Sequence, residues 1–276
     1  MKVLSSCVLA LALMACSHGG SNAPDLPQPN PTPAPAPGPV SYSSQVSVFV
    51  VPTGTIPNSA YTVRLNGTHD LALRDNYFSS DSLTMPQLSW LTLYPSSPDY
   101  FEVSRLMPLA SGARTFADMV MVEKRTDLVN GSSAGQWSLP NGGTISYGPN
   151  SFNPAAPYVY SNWVEPTTAL AALRIPAFTI YNGTELRYLR SYGCLYVEHG
   201  GLLPGKTMTA TWPIPPAQLP QAPDSIATWK LSATGWVRKG LAIRSGSNYT
   251  AARLDEGVWN FAAETACAQV MLKVKT

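Results

Sequence analysis

From Ser41 onward apolar side chains recur at every second residue, and that period commits the chain to strands rather than helices. Val46, Val48 and Val50 alternate with Ser47, Phe49 and Val51, which predicts a strand apolar on both faces. Tyr61, Val63 and Leu65 alternate with Thr62, Arg64 and Asn66, a half-buried strand running into Asn66-Gly67. Met208, Ala210 and Trp212 alternate with Thr207, Thr209 and Thr211, and Val270, Leu272 and Val274 with Met271, Lys273 and Lys275. Asn66-Gly67, Asn130-Gly131, Asn141-Gly142 and Asn182-Gly183 fall between such runs. Asn and Gly tolerate the positive φ that tight hairpins require. Only residues 115–123 and 167–173 fit a short helix, and both fit a strand or loop equally. The expected fold class is all-β: one or two antiparallel β-sandwich domains after a disordered Pro-rich linker. The 236 residues after position 40 suit either number. The loop-like Asn130-Gly131-Ser132-Ser133 sets an expected division into 41–130 and 131–276.

The N-terminus reads as an address. Lys2 supplies the positive charge of an export signal, and residues 3–14 are mostly apolar but too short to span a bilayer. The segment ends Leu13-Met14-Ala15-Cys16, which resembles the bacterial lipobox. That resemblance implies a signal peptide over 1–15, a diacylglycerol on the Cys16 sulfur and membrane attachment through acyl chains. Met14 is bulkier than the usual occupant of its place. Ser17, where an inner-membrane retention signal has Asp, resembles Gram-negative lipoproteins sorted to the outer membrane. Residues 16–40 then form the linker, with Pro24, Pro27, Pro29, Pro31, Pro33, Pro35, Pro37 and Pro39. Alternating proline favours polyproline II, which over residues 24–39 extends roughly 50 Å at about 3.1 Å per residue. A stalk that lifts a domain off the membrane is the expectation.

Composition removes several functions. Only 12% of residues are charged, 18 basic against 16 acidic, and no basic stripe forms, so nucleic acid is not an expected partner. The three histidines make no close His/His or His/Cys spacing, and no Gly-x-Ser-x-Gly elbow, phosphate loop or dinucleotide fingerprint occurs. No metal, no cofactor and no catalytic residues are expected. A glycan or peptide hydrolase is the alternative. It requires paired carboxylates, for which Glu165, Glu185 and Glu198 are available without a distinguishing neighbourhood. Cys7 lies in the signal. Cys194 and Cys267 would meet an oxidising compartment after export and are expected to form one disulfide.

The C-terminal half carries a second resemblance. Leu189-Arg190-Ser191-Tyr192-Gly193, Leu195-Tyr196-Val197-Glu198 and Leu203-Pro204-Gly205-Lys206 lead into Trp212-Pro213-Ile214-Pro215 and Ala222-Pro223. Trp229-Lys230-Leu231, Thr234-Gly235-Trp236, Gly240, Tyr249 and Val258-Trp259-Asn260 follow. With Gly142-Gly143-Thr144-Ile145 and Asn150-Ser151-Phe152 upstream, this order resembles the β module of bacterial surface lipoproteins with a carboxypeptidase-regulatory-like architecture. Similar stretches occur in cartilage intermediate layer protein. The likeness covers roughly residues 135–270. It departs at Ser232-Ala233, where members often carry Asp, and at Asp255-Glu256-Gly257-Val258, where they often have His-Phe-Ser ahead of Trp-Asn. It implies a β-sandwich-like extracellular module and transfers no catalytic residues. Trp229, Trp236 and Trp259 are expected in the core. Trp137, Tyr147, Tyr158, Tyr160 and Trp163 interleave with Asn and Pro and are the expected contacts for a glycan or protein ligand, with Phe152 among them in sequence. Together these features predict a lipid-anchored envelope protein with a binding, adhesion or structural role.

Overall fold

The alternating pattern becomes strands almost everywhere in the computed structural model. It describes residues 41–51, 60–74, 77–80, 83–86, 88–109, 112–156, 158–181, 186–199, 201–233 and 235–266. The first half contributes β1 (Ser41–Val51), β2 (Tyr61–Leu65), β3 (His69–Asp70), β4 (Ala72–Arg74) and β5 (Tyr77–Ser79). It continues with β6 (Leu83–Pro86), β7 (Leu88–Pro95), β8 (Tyr100–Phe101), β9 (Val103–Pro108) and β10 (Arg114–Val120). The second half runs through β11 (Val122–Glu123), β12 (Arg125–Leu128), β13 (Gly135–Ser138), β14 (Thr144–Tyr147) and β15 (Tyr158–Val164). After the single-turn helix α1 (Ala169–Ala172) come β16 (Thr179–Tyr181), β17 (Leu186–His199), β18 (Met208–Pro213) and β19 (Ser225–Ser232). β20 (Gly235–Ser245), β21 (Asn248–Leu254) and β22 (Gly257–Ala266) complete the described chain. The all-β class is the observed one. Of the two ambiguous segments, 115–123 is strand, whereas 167–173 contains α1, whose first turn is closed by the Thr168 hydroxyl accepting from Ala171 N–H at 3.1 Å.

Two sheets of the first half face each other. One has the order β10-β1-β5-β4, with β6 also on β1, and the other the order β3-β2-β7-β9. β1 lies parallel to β10 and antiparallel to β5 and β6. Val46, Val48 and Val50 point into the space between the sheets, towards Val63, Leu65, Leu91, Leu93 and Met119. Val46, Val48 and Val50 make one face wholly buried, whereas the other is covered only in part: Ser47 is buried but Phe49 is 47% exposed. Asn66 and Gly67 have φ of 51° and 70°, so the turn after β2 has the left-handed geometry its sequence predicts.

β11 pairs with β8 in a separate two-stranded sheet, and the strands from β12 on form one antiparallel sheet of eleven in the order β12-β15-β17-β22-β19-β20-β21-β18-β14-β13, with β16 on β17. It curls into a nearly closed barrel. The rings of Trp163 on β15, Trp212 on β18 and Phe261 on β22 meet inside it, with centroids 5.3 and 4.3 Å from Trp212. At the seam, Trp137 on β13 donates its indole N–H to Ser161 Oγ on β15 at 3.2 Å, and Ser161 in turn reaches Asp127 on β12. Opposite ends of the strand order are thereby tied together. β17 carries a bulge between Ser191 and Cys194. Gly193 occupies it with φ +153°, and a Cβ there would lie 2.0 Å from the Trp163 indole, so only glycine admits the ring.

The two halves share a core. Leu195 and Val197 of β17 face the barrel interior, whereas Leu189, Cys194 and Tyr196 face the sandwich strands. Residues Pro39–Thr276 form one compact unit. β12 belongs to the curled sheet, so that sheet begins before Asn130. Trp229, Trp236 and Trp259 are buried as expected, at 5%, 9% and 2% exposure.

Cys194 is fully buried and free, which corrects the expected disulfide. Cys267 lies outside the described residues. Cys194 stands opposite Asn260, whereas Ala266, the last described residue, stands opposite Arg187, seven residues along β17. That separation is about 23 Å at roughly 3.3 Å per residue, against the ~7 Å limit between bridged Cα atoms. Burial pushes the Cys194 thiol far up, so it is inert.

Candidate functional site

Charged side chains gather where β17 ends and β22 begins. The antiparallel register places Tyr196 opposite Val258 and Val197 opposite Gly257, so Glu198, His199, Asp255 and Glu256 all emerge at this end. β19 brings Lys230 to the same place through its pairing with Trp259. Two cavities open there and share Glu256.

The first, about 510 Å³, lies between the sandwich and the barrel and is lined by Tyr100, Glu102, Lys124, Glu198 and Glu256. Lys124 is its anchor. Its side chain is 10% exposed and its Nζ lies 2.7 Å from Glu198 Oε2. The ammonium also stands 5.4 Å from the Phe101 ring centroid and 5.2 Å from that of Tyr160. Two aromatic faces and one carboxylate thus replace the water that burial removes.

The second cavity, about 610 Å³, is lined by His199, the residues from Leu202 to Thr207, Lys230, Arg253, Asp255 and Glu256. Leu202 N–H donates to His199 Nδ1 at 3.1 Å, which places the imidazole hydrogen on Nε2. Burial lowers the His199 pKa, only partly opposed by Glu256 and Asp255, so the ring is held neutral. Its Nε2 is buried and without a partner, and the side chain as a whole is 7% exposed. Lys230 Nζ holds Asp255 Oδ2 at 2.8 Å, leaving Asp255 Oδ1 buried and unpartnered. Arg253 sits in the left-handed region, φ 63°, at a bulge where Ala252 and Arg253 together oppose Thr209. Glycine is the usual occupant of such a position, and a non-glycine residue there costs about 1–3 kcal/mol.

The expected ligand residues separate into two groups. Trp137, Tyr147 and Trp163 are buried at 5%, 8% and 6% exposure and pack in the barrel core, where they cannot touch a ligand. Their alternation with Asn and Pro arises because inward aromatics and outward polar residues share a strand. Tyr158 and Tyr160 lie on the outer face of β15 with ring centroids 5.3 Å apart, and Tyr160 joins the Lys124 cluster. Of the three glutamates considered for hydrolysis, Glu198 lines the first cavity, Glu165 precedes α1 away from both cavities, and Glu185 lies outside the described residues. Cys16 also lies outside them. Sequence reasoning missed Lys124, Lys206, Lys230 and Arg253. Single basic residues in strands and turns carry no motif, and only the bulge reveals Arg253. Among the described residues no group of three or more His, Cys, Asp and Glu side chains is placed to hold a metal.

No family model matches the chain, and no curated protein matches it.

Proposed function

We propose that this chain is a lipid-anchored protein of the bacterial envelope, held at the outer membrane through Cys16, which presents a non-catalytic binding body on its Pro-rich stalk. The reading of residues 135–270 as a carboxypeptidase-regulatory-like module belongs to the same proposal. The observation that carries the binding role is the pair of adjoining cavities at one end of the barrel, bordered by Glu198, His199, Asp255 and Glu256. Two of their bases are matched to acids, Lys124 to Glu198 and Lys230 to Asp255. Fixed ion pairs orient a ligand, whereas proton transfer calls for a group free to change its charge. Residual surface at Tyr158 and Tyr160 extends the same border.

Two experiments test it. Protease shaving of intact cells, with Cys16→Ala as the unanchored control, is expected to remove the folded body from wild-type cells. Protection that is lost only on permeabilisation would sink the surface-binding role and place the partner inside the envelope. The hydrolase alternative draws on Glu102, Glu198 and Glu256, which line one cavity. Release of reducing ends or peptides from purified cell wall, lost in Glu198→Gln and Glu256→Gln, would establish that alternative instead.

A further inference from the structure

We infer that the cavity between the Leu202–Thr207 loop and the Asp255-Glu256 turn binds a carboxylated sugar, a uronic-acid unit of an acidic glycan. The inference rests on reading this end of the barrel as a ligand site and names the ligand that site takes.

Three independent features converge on it. The first is charge. Lys206, Lys230 and Arg253 face Asp255 and Glu256, a surplus of one positive charge with His199 neutral. Lys230 is occupied by Asp255, while the side chains of Lys206 and Arg253 have no hydrogen-bond or ion-pair partner among the described residues. Glu256, half exposed on the rim, borders the other cavity as well. A carboxylate matches the planar fork of a guanidinium, with Lys206 as the second cation.

The second is a pair of buried, unpartnered polar atoms of opposite kind, the His199 Nε2–H donor and the Asp255 Oδ1 acceptor. Buried polar groups in folded proteins are almost always satisfied. A bare anion answers only the donor, because an acceptor must receive an O–H or N–H. A sugar acid carries both kinds of group, hydroxyls that donate and oxygens that accept, and would reach Asp255 Oδ1 and His199 Nε2 once the side chains covering them turn aside, since both atoms are closed to solvent as they stand. The ~610 Å³ volume lies in the range of small-ligand sites.

The third is the backbone of Arg253. An arginine at a bulge position made for glycine gives no packing reason for its presence, since its side chain is exposed. Strain of this kind gathers where a side chain is aimed at a task.

The test uses the full chain in detergent micelles, titrated at low ionic strength with sodium glucuronate, glucose, sodium acetate and sodium phosphate. The His199 imidazole nitrogens are followed by NMR and assigned with His199→Gln. Glucuronate is expected to saturate in the low-millimolar range, with glucose, acetate and phosphate each at least about 10-fold weaker. Arg253→Gly should weaken glucuronate at least about 10-fold while the melting temperature rises by roughly 2–4 °C, because glycine accepts the left-handed backbone. Lys206→Ala, in an exposed loop, should weaken it severalfold, and Arg125→Ala, on β12, should leave it unchanged. No saturable glucuronate shift, equal binding of acetate or phosphate, or undiminished binding by Arg253→Gly would each overturn the inference. The anchoring and display of the protein would stand untouched by such a failure, since shaving measures them separately.

Discussion

The space inside the curled sheet and the space between the sandwich sheets are filled by different residues. Between the sheets lie Val46, Val48, Val50, Val63, Leu65, Leu91, Leu93, Met107 and Met119. Inside the barrel lie Trp137, Tyr147, Phe152, Trp163, Tyr192, Trp212, Tyr249, Trp259 and Phe261; Trp137, Tyr147 and Phe152 form one run of ring contacts, and Trp163, Phe261, Trp212, Tyr249 and Tyr192 another. Two flat sheets about 10 Å apart are filled by interleaved branched side chains. A sheet bent back on itself leaves an axis that every strand must reach, and rings bridge that span while alanines at 210, 242 and 251 make room for them. The hydroxyls find partners at the rim, as Tyr249 does by donating to Pro223 O at 2.7 Å. Burial pushes the Tyr249 phenol up to about 12, so it stays a donor throughout the physiological range.

The largest expected effect comes from emptying the axis. Trp212→Ala should cost about 3–5 kcal/mol, lowering the melting temperature by roughly 10 °C, whereas Val63→Ala in the sandwich should cost about 2 kcal/mol. Both should move a single unfolding transition, because β17 is covered on both faces by the two cores. Two calorimetric transitions, each sensitive to one substitution, would break the picture of a shared wall.

Next in size is Gly193→Ala. A Cβ 2.0 Å from the Trp163 indole must push that ring off the axis, at a cost of about 1–3 kcal/mol. Guanidinium unfolding measures it. An unchanged midpoint would mean that the bulge gives way freely and that the ring stack does not set the curvature.

The class of fold was legible because period-two alternation follows directly from strand geometry. The turn at Asn66-Gly67 was legible for the same local reason. Curvature was not. Trp163 and Trp137 read as outward loop aromatics in the sequence because nothing local tells which face of β15 or β13 turns towards the axis. That depends on β18 and β22 arriving from 49 and 98 positions later, as the contacts of Trp163 with Trp212 and Phe261 record. The candidate site was hidden in the same way. His199 and Asp255-Glu256 were visible as residues, but only the β17–β22 register brings them to one end.

The pH dependence separates that polar end from the apolar cores. Burial holds the folded His199 pKa below its ordinary value of about 6.5, with Glu256 and Asp255 raising it, Lys230 lowering it, and burial dominating. The unfolded chain therefore takes up more protons than the folded one as pH falls below about 6.5, and stability declines there. Above that value the contribution is fully present. His199→Gln should flatten urea-derived stability between about pH 5 and 7 relative to wild type, while Trp212→Ala should shift the curve without changing its slope. An equal slope in His199→Gln would assign the acid loss to other groups.

The smallest effect should come from Cys267→Ser. A bridge from Cys267 to Cys194 would close a loop long enough to contribute about 4–5 kcal/mol in the chain-entropy account. The β17–β22 register opposes Cys194 to Asn260 and leaves the Cys194 thiol free in the core. Cys267→Ser should therefore alter stability by less than about 0.5 kcal/mol, since the thiol it would have to bridge is free. Cys194→Ser, by contrast, should cost more, because it places a hydroxyl where the buried thiol now packs. Equal, large losses from the two substitutions would mean that the cysteines act as a pair, and β22 would then have to run in a different register along β17.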